Sequence, residues 1–461
     1  MLLAWLPITV PAQIPVAGQR VLTTRNIPDT ALGLWIQEVG EDTPLATHGA
    51  ERALNPASVV KLVTTWVALE ALGPAYTWKT EVYTNGTFAD GVLDGDLILK
   101  GYGDPYLTTE AFWRMLGALR RANVKEITRD LVIDDSHFVV PPENPGAFDR
   151  QPFRSYNVVP NALLINFKTV RLEFHAGGDD VRIAVDPPLS NLSIRNRLRL
   201  AEGRCRGYQA GISFDIPDRQ TLSRVVLSGS FPAACAPYSL SRSVLRHDTY
   251  AFGLFKTLWA QQGGRFNGRV RKDLAPSDAE PILTAHSRPL GEIIRSINKY
   301  SNNVMTRQLL YTLAVEAFGP PATPEQGRRA ITEHLQQRGI DTEGLVIDNG
   351  AGLSRQTRLT AKTLAEVLLQ ASASPYMAEY VASLSLPGLD GTTRRRFRER
   401  PQAGLMHLKT GRIDHVAAIA GFVQGRSGRR FVVVAVLNHA EVHRGPGQEF
   451  QDALLTWLTA H

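Results

Sequence analysis

Cysteine is scarce in this chain. Cys205 and Cys235 are the only two in 461 residues. They can form one disulfide in an oxidising compartment or remain two buried thiols, and composition leaves both open. Long apolar runs are also missing: none approaches the roughly 18–20 residues that span a bilayer. No internal repeat and no low-complexity tract interrupts the chain. Acidic residues are outnumbered, 44 Asp and Glu against 51 Lys and Arg, for a net charge of +7. A basic balance favours anionic partners. No zinc-ligand series and no aromatic-rich basic stripe accompanies it, so a nucleic-acid module is not expected.

What is present is ordinary globular composition, in a chain too long for one hydrophobic core; two or three domains are expected. Residues 1–12 form a short apolar stretch ending in Val10-Pro11-Ala12. It resembles the core and cleavage site of a signal peptide, without the basic start. Export to a periplasm or cell-wall space is the expectation, with at most peripheral membrane association. No membrane anchor is evident at the C-terminal end.

Residues 31–39 alternate as a strand, 40–43 form a turn, and 44–48 can pair back. Asn55 before Pro56 reads as an N-cap with proline at the first helical position. The largely apolar run 59–72 then ends at Gly73-Pro74. Ser58 thus falls in the first turn of a mostly buried helix. From 78 to 241 short alternating strands dominate, at 96–99, 131–134, 170–175, 181–185 and 224–227. Helices return at 250–262, 290–299, 303–318, 324–338 and 361–371. Strands at 417–423 and 431–437 precede a last helix at 446–459. The pattern predicts one α/β domain built from 1–74 and 245–461, interrupted by a β-rich insertion at 75–244.

Three short motifs carry chemistry. In Ser58-Val59-Val60-Lys61 a helical spacing of three places the amine beside the hydroxyl. A serine hydroxyl is a poor nucleophile until a base takes its proton. Lys61 can be that base only when neutral, which needs desolvation and a nearby second cation. Ser301-Asn302-Asn303 could relay a proton through Ser301 and hold a substrate amide through Asn303, although serine and asparagine also cap helices constantly. In Lys409-Thr410-Gly411 a lysine and a hydroxyl on a strand edge can hold a carboxylate, and glycine permits close backbone approach. Each motif alone is weak. Their order, Ser-x-x-Lys, Ser-x-Asn, Lys-Thr-Gly, is that of the penicillin-recognising serine enzymes.

The chain resembles the class C low-molecular-mass penicillin-binding proteins, the D-alanyl-D-alanine carboxypeptidase/endopeptidase group. Besides the three motifs, residues 99–105 (LKGYGDP), 134–138 (DDSHF), 348–355 (DNGAGLSR) and 386–392 (LPGLDGT) match that group in type and order. The resemblance implies a transpeptidase-like α/β domain, a sheet flanked by helices, with a large insertion of two subdomains. It implies Ser58 as nucleophile, Lys61 as general base, and Ser301 and Asn303 in the proton network. Lys409, Thr410 and Gly411 would face the carboxylate end of the substrate. The backbone N–H groups of Ser58 and Arg412 would form an oxyanion hole. Asp135 and Arg355 would grip a diaminopimelate-type side chain of the peptide stem. Peptidoglycan peptides are the implied substrate and β-lactams the implied inhibitors; no metal or organic cofactor is needed. One departure matters: the group usually has Thr or Ser after Lys-Thr-Gly, and here Arg412 stands there, offering a guanidinium in place of a hydroxyl.

Other features read as structural. Gly101-Tyr102-Gly103 lacks the third glycine and the helix of a dinucleotide loop. His439 and His443 stand four apart without a metalloprotease pattern, and His407 reads as structural. The basic run 394–398 reads as a solvated face that could touch anionic wall polymer. A serine β-lactamase is the first alternative, but it needs a water-activating base that the sequence does not present. A non-enzymatic sensor is the second, and intact Ser58 and Lys61 argue against it.

Overall fold

The computed structural model describes residues 14–178, 180–205, 211–218 and 220–461. The candidate export segment, residues 1–12, lies outside the described residues. Among them, no helix is long and apolar enough to cross a membrane.

The chain divides into two compact units. The first comprises Met1–Tyr76, Pro289–Ala317 and Pro324–His461, and the second Thr77–Arg288 with Phe318–Thr323. In the first, an antiparallel five-stranded sheet runs in the order Met406–Ile413, Val416–Gln424, Arg430–Asn438, Leu32–Glu38, Ala46–His48. Gly33 pairs with Val436 and Leu34 with Ala435, so strands from the two ends of the chain are neighbours. Val416–Gln424 and Arg430–Asn438 are buried along almost their whole length, as expected of central strands covered on both faces. On one face Leu32, Leu34, Ile36, Val433 and Ala435 share a core with Leu22 of Val16–Thr24 and with Phe450, Leu454 and Leu458 of Pro446–Thr459. The other face is reached through Gly33: a Cβ there would lie 3.5 Å from the Cβ of Ala361, the first residue of Ala361–Ala373.

The second unit carries several small sheets. The largest orders Val270–Lys272, Leu131–Asp134, Leu97–Gly101, Lys79–Thr84 and Leu283–His286. Two features differ from the sequence expectation. Helix Thr109–Arg121 stands inside the region read as dominated by short strands. It buries Phe112, Met115, Leu116 and Leu119, an i, i+3, i+4, i+7 stripe, and its cap Thr108 accepts from the Ala111 N–H. The unit also extends to Arg288 rather than ending at 244. Helix His247–Gln261 packs Tyr250, Leu254, Phe255 and Trp259 into the same core as Phe112 and Leu131. The reason is the sheet itself, which is completed by strands at 270–272 and 283–286 pairing with Leu131–Asp134 and Lys79–Thr84.

Cys205 and Cys235 are bridged, with their Cα atoms 4.9 Å apart and a sequence separation of 30. Closing a loop of that length restrains the unfolded chain by about 3–4 kcal/mol in the loop-entropy model. A reducing agent is therefore expected to lower the unfolding temperature in a calorimetric scan; an unmoved transition would show that the bridge adds nothing.

Candidate active site

Ser58 is presented by a tight entry into a helix. A 3-10 turn, Ala57–Val60, leads directly into Lys61–Leu72, which Gly73 ends at φ 76°. Pro56 is the cap residue, one position later than the sequence suggested. Asn55 sits just outside and its Oδ1 accepts the Ala57 N–H at 2.8 Å. Asn55 is fixed in turn by Asn438 on the strand Arg430–Asn438, through bonds of 2.8 and 2.9 Å. Ala57 has φ 46°, a left-handed conformation that costs a residue with a Cβ. The turn is closely approached by residue 352. A Cβ at Gly352 would lie 2.0 Å from the Ala57 carbonyl oxygen, and Gly352 itself has φ 76°. Gly352→Ala is thus expected to displace Ser58 and to lower both the melting temperature and the acylation rate, measured side by side on the purified variant.

Lys61 and Lys409 are both 0 % exposed. Lys61 Nζ lies 3.1 Å from Ser58 Oγ and 2.7 Å from Asn303 Oδ1, and it also bonds the Ala351 carbonyl. Burial, with the Lys409 charge as a second cause, holds its pKa well below the ordinary lysine value. A neutral amine has two N–H donors and one lone pair. Asn303 and Ala351 offer two acceptors, which leaves the lone pair for the Ser58 hydroxyl. The hydroxyl then donates to the amine, and the amine can take its proton.

Lys409 Nζ donates to Ser301 Oγ at 3.0 Å and to the Thr410 carbonyl at 2.7 Å. Burial lowers its pKa to about 7. An unfolded lysine keeps its proton to a much higher pH, so the unfolded state binds more protons between about 7 and 10.5, and stability rises with pH across that window. Lys409→Met removes this dependence. The stability advantage of the variant over the parent is expected to be largest below pH 7 and to shrink towards pH 10, measured by denaturant unfolding at several pH values.

Ser301 and Asn303 reach the lysines because Asn302 does the capping. Ser301 closes Leu290–Tyr300 in a left-handed conformation, φ 57°. Asn302 Oδ1 accepts the Met305 N–H at 3.1 Å, so it caps Asn303–Phe318. That frees Ser301 Oγ for Lys409 and Asn303 Oδ1 for Lys61. Lys299, on the preceding helix, is tied to Asp390 at 2.5 Å and to the Leu384 carbonyl at 2.8 Å. The 386–392 segment is thereby held beside the site, where Thr392 accepts from Thr410 at 2.8 Å.

Gly411 is where the edge strand Met406–Ile413 passes the Ser58 turn. A Cβ there would lie 2.3 Å from the Pro56 carbonyl and 3.1 Å from Ser58 N. Leu408 exchanges both backbone bonds with Ser385 on the outer edge of this strand. By the two-residue period of a strand, Thr410 and Arg412 turn their N–H groups to that same outer edge. The Arg412 N–H therefore faces outward on the strand edge that passes the Ser58 turn.

Two further expected site residues are ion-paired. Arg355 holds Asp414 in the turn after the edge strand, at 3.0 and 3.2 Å. Asp135 belongs to the second unit, where Lys272 at 2.5 Å and Asn161 at 2.7 Å hold its carboxylate. His407 bonds the Val381 carbonyl and His443 accepts the His415 N–H, both structural contacts. Of the basic run, Arg396 is held by Asp452 while Arg394, Arg395 and Arg398 are exposed. Two participants had no chemical signal in the sequence. The Ala351 carbonyl is a backbone group, aimed at Lys61 because Asn349 Oδ1 gathers the Ala351 and Gly352 N–H groups. Thr392 lay within a matched segment without a role of its own.

A serine beside a buried lysine under a helix-flanked sheet, with a second buried lysine on the edge strand, defines a penicillin-recognising serine peptidase. The chain belongs to the D-Ala-D-Ala carboxypeptidase 3 (S13) family, whose model matches residues 19–461. It is 28 % identical to a D-alanyl-D-alanine carboxypeptidase of Actinomadura sp. (strain R39), over 99 % of this chain and 89 % of that protein. It is 25 % identical to the D-alanyl-D-alanine carboxypeptidase DacB of Haemophilus influenzae, over 90 % and 87 % of the two chains. The crystal structure of penicillin binding protein 4 from Haemophilus influenzae superposes with a TM-score of 0.80 at 23 % identity, over 97 % of this chain and all of that one. That Haemophilus protein has also been solved complexed with a β-lactam.

Proposed function

We propose that the chain hydrolyses D-Ala-D-Xaa bonds of peptidoglycan peptides through an ester on Ser58, in a periplasm or cell-wall space. The observation that carries the assignment is the fully buried Lys61 amine, 3.1 Å from Ser58 Oγ, with two further acceptors already matched to its two protons.

Lys61 takes the Ser58 proton as Oγ attacks the carbonyl of the penultimate D-Ala. The oxyanion forms between the N–H groups of Ser58 and Arg412, where preorganised donors stabilise it most. Ser301, hydrogen-bonded to Lys409, relays the proton taken by Lys61 to the leaving nitrogen as the C–N bond breaks, which leaves Lys61 neutral again. Asn303 holds both Lys61 and the substrate amide, and Lys409 with Thr410 receives the carboxylate end. Water, deprotonated by Lys61, then cleaves the ester and restores Ser58. Arg355 and Asp135 are assigned, on the family resemblance, to the charged side chain of the stem. β-Lactams, carrying an amide and a carboxylate like those of the substrate, would acylate the same hydroxyl.

Digestion of purified muropeptides with a mass readout tests the proposal. Loss of one D-Ala, or cleavage of a cross-linked pair into monomers, is expected. Intact muropeptides after prolonged incubation with protein that still binds penicillin would overturn it.

A further inference from the structure

The second unit carries a cavity of about 550 Å³. Helix Thr109–Arg121 lines it from one element and the edge strand Leu283–His286 from another. Residues 104–108, which lead into the helix, line it too. So does Thr80, which pairs with Ala285 across the sheet. Leu107 and Met115 give it buried apolar surface. The volume falls among small-molecule sites, roughly 300–1,000 Å³. None of its lining residues has a part in the mechanism proposed above.

The charges of this cavity are sorted by depth. Asp104 is 5 % exposed and Thr80 2 % exposed, whereas Glu110, Arg114 and Arg288 are exposed at the rim. Asp104 Oδ1 accepts the Tyr106 N–H at 2.7 Å. Among the described residues, no lysine or arginine pairs with that carboxylate, and none hydrogen-bonds the Thr80 side chain. Burial pushes the Asp104 pKa up to about 7. A buried carboxylate without a counter-cation is costly. At the rim the balance is reversed. The Thr108 hydroxyl, with the charges of Arg114 and Arg288, holds Glu110 below the ordinary glutamate value. Two guanidiniums there answer one carboxylate. The lining is thus negative at depth, positive at the mouth, and neutral in sum.

We propose that this cavity binds a short peptide with a free amino end, its ammonium held by Asp104 and Thr80 at depth and its carboxylate by Arg114 and Arg288 at the rim. The ligand class follows from the charges. A zwitterion matches a lining that is neutral in sum and polarised along its depth. The ammonium brings the cation that Asp104 lacks and a donor for the Thr80 oxygen. Two guanidiniums offer planar donor pairs for a carboxylate. A single amino acid would leave most of the volume unfilled, so two or three residues fit better. Leu107 and Met115 face the small side chains between the two ends. A peptide whose amino end is acylated is excluded from the class.

Calorimetric titration of the full chain with three peptides tests this: L-trialanine, its N-acetyl derivative and its C-terminal amide. L-Residues keep the probe outside the D-Ala-D-Xaa class assigned to Ser58. The parent is expected to bind L-trialanine, and to bind the acetylated peptide roughly 10–100-fold more weakly, the range of a lost charge-assisted hydrogen bond. Asp104→Asn keeps an acceptor for the Tyr106 N–H and is expected to weaken L-trialanine by the same factor, leaving the acetylated peptide unchanged. Arg114→Gln, at the exposed rim, is expected to cost a few-fold on L-trialanine and nothing on the amide. An unchanged rate of penicillin labelling reports that each variant is folded. No binding of L-trialanine by the parent, equal affinity for all three peptides, or full affinity in Asp104→Asn would overturn the site.

Discussion

Ser58→Ala is expected to abolish covalent labelling by a fluorescent penicillin and to reduce release of D-Ala by a factor on the order of 10⁴ or more. The size follows from the role. Without an oxygen to acylate, the two-step route through an ester is gone, and only binding and the backbone donors remain. The change removes one half-buried oxygen from a turn whose geometry is set by Asn55, Ala57 and Gly352, so the fold should survive it. Retained near-ultraviolet circular dichroism with no labelled band is the outcome expected. A labelled band at normal intensity would transfer the chemistry to another residue. In the parent, the penicilloyl label is expected to persist for hours. Decay within seconds would mark a β-lactamase instead.

Lys61→Arg is expected to be nearly as severe, with a loss of about 10³–10⁴-fold in acylation rate. Arginine keeps a positive charge at every accessible pH, so it has no lone pair for the Ser58 hydroxyl. The parent enzyme carries a pH signature of the same fact. Lys61 acts in its neutral form, and burial plus the Lys409 charge set its pKa well below the ordinary value. kcat/KM should therefore rise with pH through that lowered pKa and then level off. The residual activity of Lys61→Arg should lack this acid limb. A variant with the parent's rate and the parent's pH profile would show that another group is the base.

The candidate site residues were legible because the chemistry demands particular side chains at short spacings. Ser58 and Lys61 share one helical turn, and Lys409-Thr410-Gly411 is a strand edge that must approach it. What the sequence could not display was the partition of roles in Ser301-Asn302-Asn303. Any of the three could cap a helix, and only the structure shows that Asn302 does so and frees its neighbours. The Ala351 carbonyl was invisible in principle, since a backbone oxygen leaves no residue type to recognise. The central strands were readable from their unbroken apolar runs. Helix Thr109–Arg121 was missed although its apolar stripe is regular, because the surrounding short strands set the expectation. The end of the second unit was misplaced for a different reason. Helix His247–Gln261 looks like any other amphipathic helix, and which core it joins is decided by strands that follow it in sequence.

The pairing of Leu32–Glu38 with Arg430–Asn438 places a timing constraint on biosynthesis. As the polypeptide leaves the ribosome, the serine turn emerges early. The strand that seats Asn55 and the edge strand bearing the second lysine follow only after more than three hundred further positions have been translated. Throughout that interval the nascent protein holds its nucleophile but has no competent centre. Hydrolytic capacity thus arises only once nearly the whole polypeptide has been made, and an interrupted or C-terminally clipped product would be inert.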